Sequence, residues 1–149
     1  MDSANAKNAK PVPPRHTVRS DADLERVWRE LMSPLGFTGR ALWLMVIDDD
    51  EVTPGLVEIG ELPREVDAAF VEAFPRVLAM VAGERPGLRV AFLLARSGRG
   101  GADSADRAWA AALYGIARTA GVACEVVHLA SDDSLMPIAP DDLPQRGAA

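Results

Sequence analysis

The sequence is poor in residues that cross-link or react. It has one cysteine and two histidines among 149 residues. Cys124 cannot close an internal disulfide, and its apolar neighbours favour a buried structural thiol, because a reactive one needs a basic, exposed setting. His16 falls in the N-terminal tail, and His128 ends an apolar run, where a structural or merely exposed histidine is expected. Neither disulfide stabilisation nor thiol chemistry is predicted.

Long apolar runs are also missing. No stretch approaches the roughly 18 apolar residues of a membrane span, and no apolar stretch follows the N-terminal lysines, as a secretory signal would require. The net charge of −6 and the pI near 4.9 argue against a broad phosphate-binding surface. We therefore expect a cytoplasmic protein with neither a membrane nor a nucleic acid as its partner.

The composition that remains is that of an ordinary globular domain, 48% apolar and 26% charged. We predict a disordered tail over residues 1–19, one α/β domain over 20–139 and a flexible C-terminal tail over 140–149. Both tails are polar and lack an apolar period. The domain is predicted as a three-layer fold, a mixed sheet of about five strands with helices on both faces.

The first half of the domain indicates a helix followed by a hairpin. Ser20 is expected to cap a helix with the apolar stripe Leu24, Val27, Trp28 and Leu31. A buried strand over 41–47 and a returning strand over 51–59 follow, joined by a turn of three aspartates. Pro54-Gly55 interrupts the returning strand, which is therefore predicted to be an edge strand or to carry a bulge.

A second helix is predicted over 64–82. Its inward residues are expected to be Val66, Ala69, Phe70, Ala73, Val77, Leu78 and Val81. Pro75 lies inside this range. It either kinks the helix or begins a second segment at its first position.

The stretch 88–128 organises the chain, and we interpret it as strand, loop, helix and strand. Eight mostly apolar residues from Leu88 indicate a strand covered on both faces. The helix over 104–120 starts at a cap, Asp103 or Ser104, and ends at Gly121. Its predicted stripe is Ala105, Ala108, Trp109, Ala112, Leu113, Ile116 and Ala120. Such a helix allows the flanking strands to lie parallel, and a short return strand over 135–138 completes the sheet.

The order and spacing of these residues resemble the JAB/JAMM domain, especially its RadC-like branch, over roughly residues 40–138. That family binds zinc through two histidines in an H-x-H pattern and an aspartate eleven residues after the second. Ser97-Gly98 match a serine-glycine of the branch, and Asp106 falls on the metal aspartate. His128 lies one residue from a histidine that follows the helix in that branch. The resemblance implies a JAB/cytidine-deaminase-like topology.

The departures from the family remove its zinc chemistry. Leu93 and Ala95 occupy the two histidine positions, Arg96 replaces a proline, Asp103 replaces a serine, and Arg40 stands near the catalytic glutamate. A catalytic zinc needs about three protein ligands and an open water position. The resemblance therefore implies a metal-free pseudoenzyme, and no cofactor is expected.

The loop before the helix offers a second interpretation, a site for a small anion or nucleotide. Backbone N–H groups at a helix N-terminus, together with two arginines, can hold an anion. The loop lacks the ordered glycine patterns of nucleotide-binding motifs, so a flexible connector remains the alternative. The candidate ligand-binding residues are Arg96, Ser97, Gly98, Arg99, Asp106 and His128.

Three functional hypotheses follow. The first is a non-catalytic, JAB-like interaction or scaffold protein with an unidentified protein partner. The second is the small-anion module at residues 96–101. The third is a metal-independent hydrolase, in which His128 would activate Ser97 or Ser104, although no G-x-S-x-G elbow is present.

Overall fold

The computed structural model of the chain describes residues 9–10, 16–83 and 85–143. Within these ranges it contains three α-helices and eight β-strands. The helices are α1 (Asp21–Met32), α2 (Ala68–Ala82) and α3 (Ser104–Ala120). The strands are β1 (Ala9–Lys10), β2 (Arg40–Asp48), β3 (Glu51–Val52), β4 (Leu56–Ile59), β5 (Leu88–Arg96), β6 (Ala123–Cys124), β7 (Val127–Ala130) and β8 (Leu135–Ile138).

The strands form one mixed sheet in the order β1-β4-β2-β5-β7-β8, with β3 beside β2 and β6 beside β5. The central strands β2 and β5 are antiparallel along their whole length. β5 and β7 are parallel, with Leu93 opposite His128, and α3 connects them. The predicted parallel pair and mixed sheet are confirmed. More strands are present than the predicted five because two of the expected strands are each divided in two and β1 adds another.

The sheet separates two apolar cores. Leu42 and Leu44 of β2 pack with α2 and α3, whereas Trp43 and Met45 pack with α1, because successive strand residues point to opposite faces. Helices on both faces are therefore confirmed, and we name the two surfaces the α1 side and the α2–α3 side. Among the described residues, no helix combines the length and apolar character needed to cross a membrane.

The interruption at Pro54-Gly55 is a bulge. Val52 pairs with Ile47 and Val57 pairs with Leu44, so the register shifts by two residues between β3 and β4. Gly55 has a φ of 93°, which favours glycine. Of the two predicted alternatives, the bulge is correct and the edge strand is wrong, since β1 pairs with the free side of β4.

The second helix is shorter than predicted and faces another way. It begins at Ala68, and in the segment before it the carbonyls of Pro63 and Arg64 accept hydrogen bonds from the Trp109 indole N–H, at 2.9 and 3.2 Å. Asp67 caps it, and the helix continues past Pro75, so a separate second segment is wrong. Its buried residues are Phe74, Leu78 and Ala82, whereas Val77 and Val81, predicted to point inward, are exposed.

Both ends of α3 follow the prediction. The Asp103 side chain accepts from the N–H of Asp106, and Asp106 accepts from the N–H of Asp103, which together form a capping box. Gly121 ends the helix in the left-handed region, with φ of 73°. Trp109 is fully buried, as expected. Ala108 and Ala112 are not: they lie on the outer side and line a groove.

The domain extends beyond its predicted boundaries. Val18, placed in the disordered tail, is fully buried, and its N–H donates to the carbonyl of Asp50 at 2.8 Å. Thr17 forms a bridge with Glu51. At the other end, Leu143 is buried after a turn of 3₁₀ helix at Pro140–Asp142. The tail predictions for residues 1–8, 11–15 and 144–149 lie outside the described residues.

Candidate functional site

Asp106, which the resemblance places at the metal aspartate, is a fully buried carboxylate held by two arginines. Arg96 Nε donates to its Oδ1 at 3.1 Å and its Oδ2 at 2.9 Å, and Arg40 Nη1 donates to Oδ1 at 2.8 Å. The backbone N–H of Asp103 donates to Oδ2 at 2.9 Å. Three donors therefore occupy both oxygens, and the charge of Asp106 is neutralised by the protein itself.

The Arg96 side chain points into this cluster and is only 9% exposed. Its Nη2 donates to the carbonyl of Gly101 at 2.8 Å, and its Nη1 donates to the carbonyl of Ser97 at 3.3 Å. Every guanidinium nitrogen thus has a partner inside the protein. An external anion at the loop would have to compete with Asp106 and two carbonyl groups.

The backbone N–H groups of the loop are occupied as well, by carboxylates of the turn between β7 and β8. Gly98 donates to Asp132 at 2.8 Å, and Gly100 donates to Asp133 at 3.0 Å. Asp132 also accepts from the N–H of Phe37 at 2.9 Å. The Phe37 and Gly98 amides hold the pKa of the Asp132 carboxyl below its ordinary value. The loop binds anionic groups, and these groups belong to the protein.

The side chains of two members of the predicted set, Arg99 and Ser97, stay at the surface. The Arg99 side chain is 80% exposed, and its Nε lies 3.5 Å from Oδ2 of Asp133. Ser97 is exposed too, while its backbone N–H donates to the carbonyl of Gly39 at 2.9 Å. A solute can reach Arg99 directly, but an anion that binds there would have to compete with the neighbouring carboxylate of Asp133.

His128 lies apart from the loop cluster. It is 1% exposed and sits opposite Leu93, whose side chain belongs to the core on the α1 side. Its Nδ1 is 3.3 Å from the carbonyl oxygen of Val126, and burial lowers the pKa of the imidazole. Asp106 and Arg96 approach each other on the α2–α3 side. The predicted residues therefore divide between the two sides of the sheet, and His128 does not join Ser97 or Ser104.

The positions of the resembled zinc ligands do not meet at one point. Leu93 and Ala95 are buried on the α1 side, while Asp106 is enclosed by Arg40 and Arg96. Within residues 9–10, 16–83 and 85–143, no cluster of three histidine, cysteine, aspartate or glutamate side chains could hold a metal ion. No protein-family model, curated protein or solved structure matches the chain. The JAB resemblance stays a prediction.

An open groove of about 990 Å³ lies on the α2–α3 side, and the sequence did not predict it. Its floor is the outer surface of α3, where Ala108, Ala112 and Gly115 leave room because their side chains are small or absent. Val71 of α2 and Leu143 also line it, as do Arg107 and Arg118. The groove is thus mainly apolar and is lined by two arginines, and the exposed Asp141 and Asp142 lie beside its lining residues Pro140 and Leu143.

Tyr114 also lines the groove, but its hydroxyl serves the fold. It donates to the carbonyl of Ile138 at 2.7 Å and accepts from the N–H of Val127 at 2.8 Å. Burial raises the pKa of this hydroxyl to about 12. Tyr114 therefore ties α3 to the β7–β8 edge of the sheet.

α2, whose Val71 lines the groove, also presents an apolar outer surface to solvent. Met80 is 81% exposed, and Val77 and Val81 are 46% and 45% exposed. Ala69 and Ala73 continue this surface along the helix at four-residue steps. We name these five residues the α2 stripe.

One sequence signal could have revealed the α2 stripe. α2 has apolar residues on all of its sides, and only Glu72 and Arg76 are charged. A helix of this kind has more apolar surface than one neighbouring layer can cover. Periodicity alone predicts a buried side of α2 that includes Val77 and Val81, but both of these residues are exposed.

Proposed function

We propose that this chain is a non-catalytic, JAB-like interaction or scaffold domain that binds a protein partner through α2 and α3. The observation that carries the proposal is the α2 stripe, above all Met80, which is exposed on a helix that also contributes Val71 to the lining of an apolar groove. Soluble proteins rarely leave contiguous apolar surface in water, and such patches often mark protein–protein contacts.

The arrangement at the loop supports the non-catalytic part of the proposal. The resembled family uses its aspartate as a metal ligand, whereas here Arg40 and Arg96 neutralise Asp106. Elemental analysis of the purified protein is expected to find no stoichiometric zinc. About one tightly held zinc per chain, removable only by strong chelation, would contradict the pseudoenzyme proposal.

The small-anion alternative has weaker support, because Asp132 and Asp133 already occupy the amides of Gly98 and Gly100. It can be tested by titrating phosphate, nucleotides and dicarboxylates at low salt into wild type and Arg99→Ala. Saturable millimolar binding that Arg99→Ala weakens would revive this alternative.

The partner proposal is tested by affinity capture from the source cell with Met80→Lys beside wild type. Lysine keeps the helix and suits its C-terminal turn, but places a charge in the apolar surface. Ala22→Lys on the exposed side of α1 is the matched control. A partner retained by wild type and Ala22→Lys but lost with Met80→Lys supports the proposal. Equal capture of the same proteins by wild type, Ala22→Lys and Met80→Lys would contradict the partner proposal.

A further inference from the structure

We infer that the occupant of this surface is a second copy of the chain: α2 of each protomer lies in the α3 groove of the other. This inference rests on the proposed function and names the partner. It follows from the distribution of apolar and charged residues over the α2–α3 side.

The apolar parts of this side complement each other in shape. The groove over Ala108, Ala112 and Gly115 is concave and has a volume of about 990 Å³. The α2 stripe, with Val77 and Met80, is a convex apolar ridge of the kind that such a groove accommodates. Because ridge and groove lie on the same side of the sheet, one protomer can offer both at once.

The charges are also complementary. Next to the groove residues Val66 and Val71, the α2 region exposes Glu65 and Glu72. The α3 border of the groove exposes Arg107 and Arg118 instead. The charged atoms of these four side chains make no ion pair with any described residue, although the chain as a whole carries a net charge of −6. Two pairs of exposed residues depart from this separation of charge: Arg64 and Arg76 lie in the α2 region, and Asp141 and Asp142 lie beside the groove residues Pro140 and Leu143.

A two-fold axis brings these complementary parts together. In an isologous interface the same surface is used on both protomers, so residue i of one contacts residue j of the other, and the reverse. The acidic α2 border of one protomer then meets Arg107 and Arg118 of the other, twice per dimer. The α2 stripe is covered in both protomers, which accounts for its apolar character.

The test is the oligomeric state of the pure protein, measured by sedimentation equilibrium from micromolar to near-millimolar concentration. Two charge variants are compared with wild type, Arg107→Glu/Arg118→Glu and Glu65→Arg/Glu72→Arg. In a dimer of Arg107→Glu/Arg118→Glu, acidic residues face acidic residues in both halves of the interface. In a dimer of Glu65→Arg/Glu72→Arg, basic residues face basic residues in both halves. We expect the dimer dissociation constant of each variant to rise about tenfold or more, as for several exposed ion pairs reversed at once.

Mixing the two variants discriminates this arrangement from other dimers. In the mixed dimer each interface half again joins acidic to basic residues, so dimerisation should return to near the wild-type affinity. Val77→Thr/Met80→Gln, which alters no charge, should weaken the dimer as well. Ala22→Lys is the control that leaves it unchanged, and thermal melts verify that each variant is folded.

The outcomes separate this inference from the proposed function. A wild type that stays monomeric throughout, or a dimer that neither charge variant weakens, overturns the second-copy inference. If the wild type is monomeric while a cellular partner is lost with Met80→Lys, the interaction function stands with a different occupant. If there is neither a dimer nor a partner sensitive to Met80, both proposals fall.

Discussion

Arg96 and Asp106 form a buried ion pair in which Arg96 Nε lies 2.9 Å from Asp106 Oδ2. The two residues come from the end of β5 and the first turn of α3, so the pair clamps the loop between them. Arg40 approaches the same carboxylate from β2. The sequence predicted both Arg96 and Asp106 as contacts of an external ligand. In the structure, the anion that Arg96 binds is Asp106.

Arg96→Ala is expected to destabilise the fold by about 3 kcal/mol or more, because the buried Asp106 loses one of its two cationic partners. Urea denaturation measures this loss. Arg99→Ala is the matched control, since the Arg99 side chain is 80% exposed and should leave the midpoint unchanged. Equal midpoints for Arg96→Ala and wild type would mean that the cluster does not clamp the loop.

Trp109→Ala should cost about 3–5 kcal/mol, as for a large aromatic residue removed from a core. Trp109 is fully buried on α3, with Phe70 in an edge contact at 5.5 Å. Trp109→Phe keeps a ring but loses the donor to Pro63 and Arg64, so a smaller cost of about 1–2 kcal/mol is expected. The urea midpoint should be highest for wild type, lower for Trp109→Phe and lowest for Trp109→Ala. Equal midpoints for the two variants would mean that the indole hydrogen bond contributes more than the packing of the ring.

His128 should make the fold sensitive to mild acid. Burial lowers the pKa of the folded imidazole below its ordinary value near 6.5. The unfolded chain therefore binds the proton first, and stability falls as the pH drops below about 6.5. Of the charged groups of α1, Glu25 and Asp21 act to raise the pKa of His128 and Arg29 acts to lower it, but burial has the largest effect. The wild-type urea midpoint should fall between pH 7 and pH 5 by more than that of His128→Gln. Parallel pH profiles for the two proteins would contradict a buried neutral histidine.

Cys124 is expected to be unreactive in the native protein. Burial raises the pKa of its thiol to about 12, so almost no thiolate exists at neutral pH. A thiol reagent at pH 7 should label the native chain far more slowly than the chain in denaturant. Labelling at the same rate in both conditions would show that the β6 region opens readily.

Local sequence features predicted most of the elements correctly. Ser20 and Asp103 cap helices because their side chains reach backbone N–H groups three residues ahead. Gly121 ends α3 because the left-handed region suits a residue without Cβ. The helical span between β5 and β7 also allowed their parallel arrangement to be predicted. Each of these features depends on residues that are close together in the chain.

The site depends on contacts between distant parts of the chain, and these the sequence does not reveal. Asp132 accepts a hydrogen bond from the N–H of Gly98, which is 34 positions away in the chain, and Arg40 donates to Asp106, which is 66 positions away. Charge and spacing alone leave open whether an arginine faces solvent or a buried carboxylate, because the partner is chosen by the sheet register. The same holds for α2: its composition is apolar on every side, and only the packing of Phe74 and Leu78 on the sheet decided that Met80 faces water.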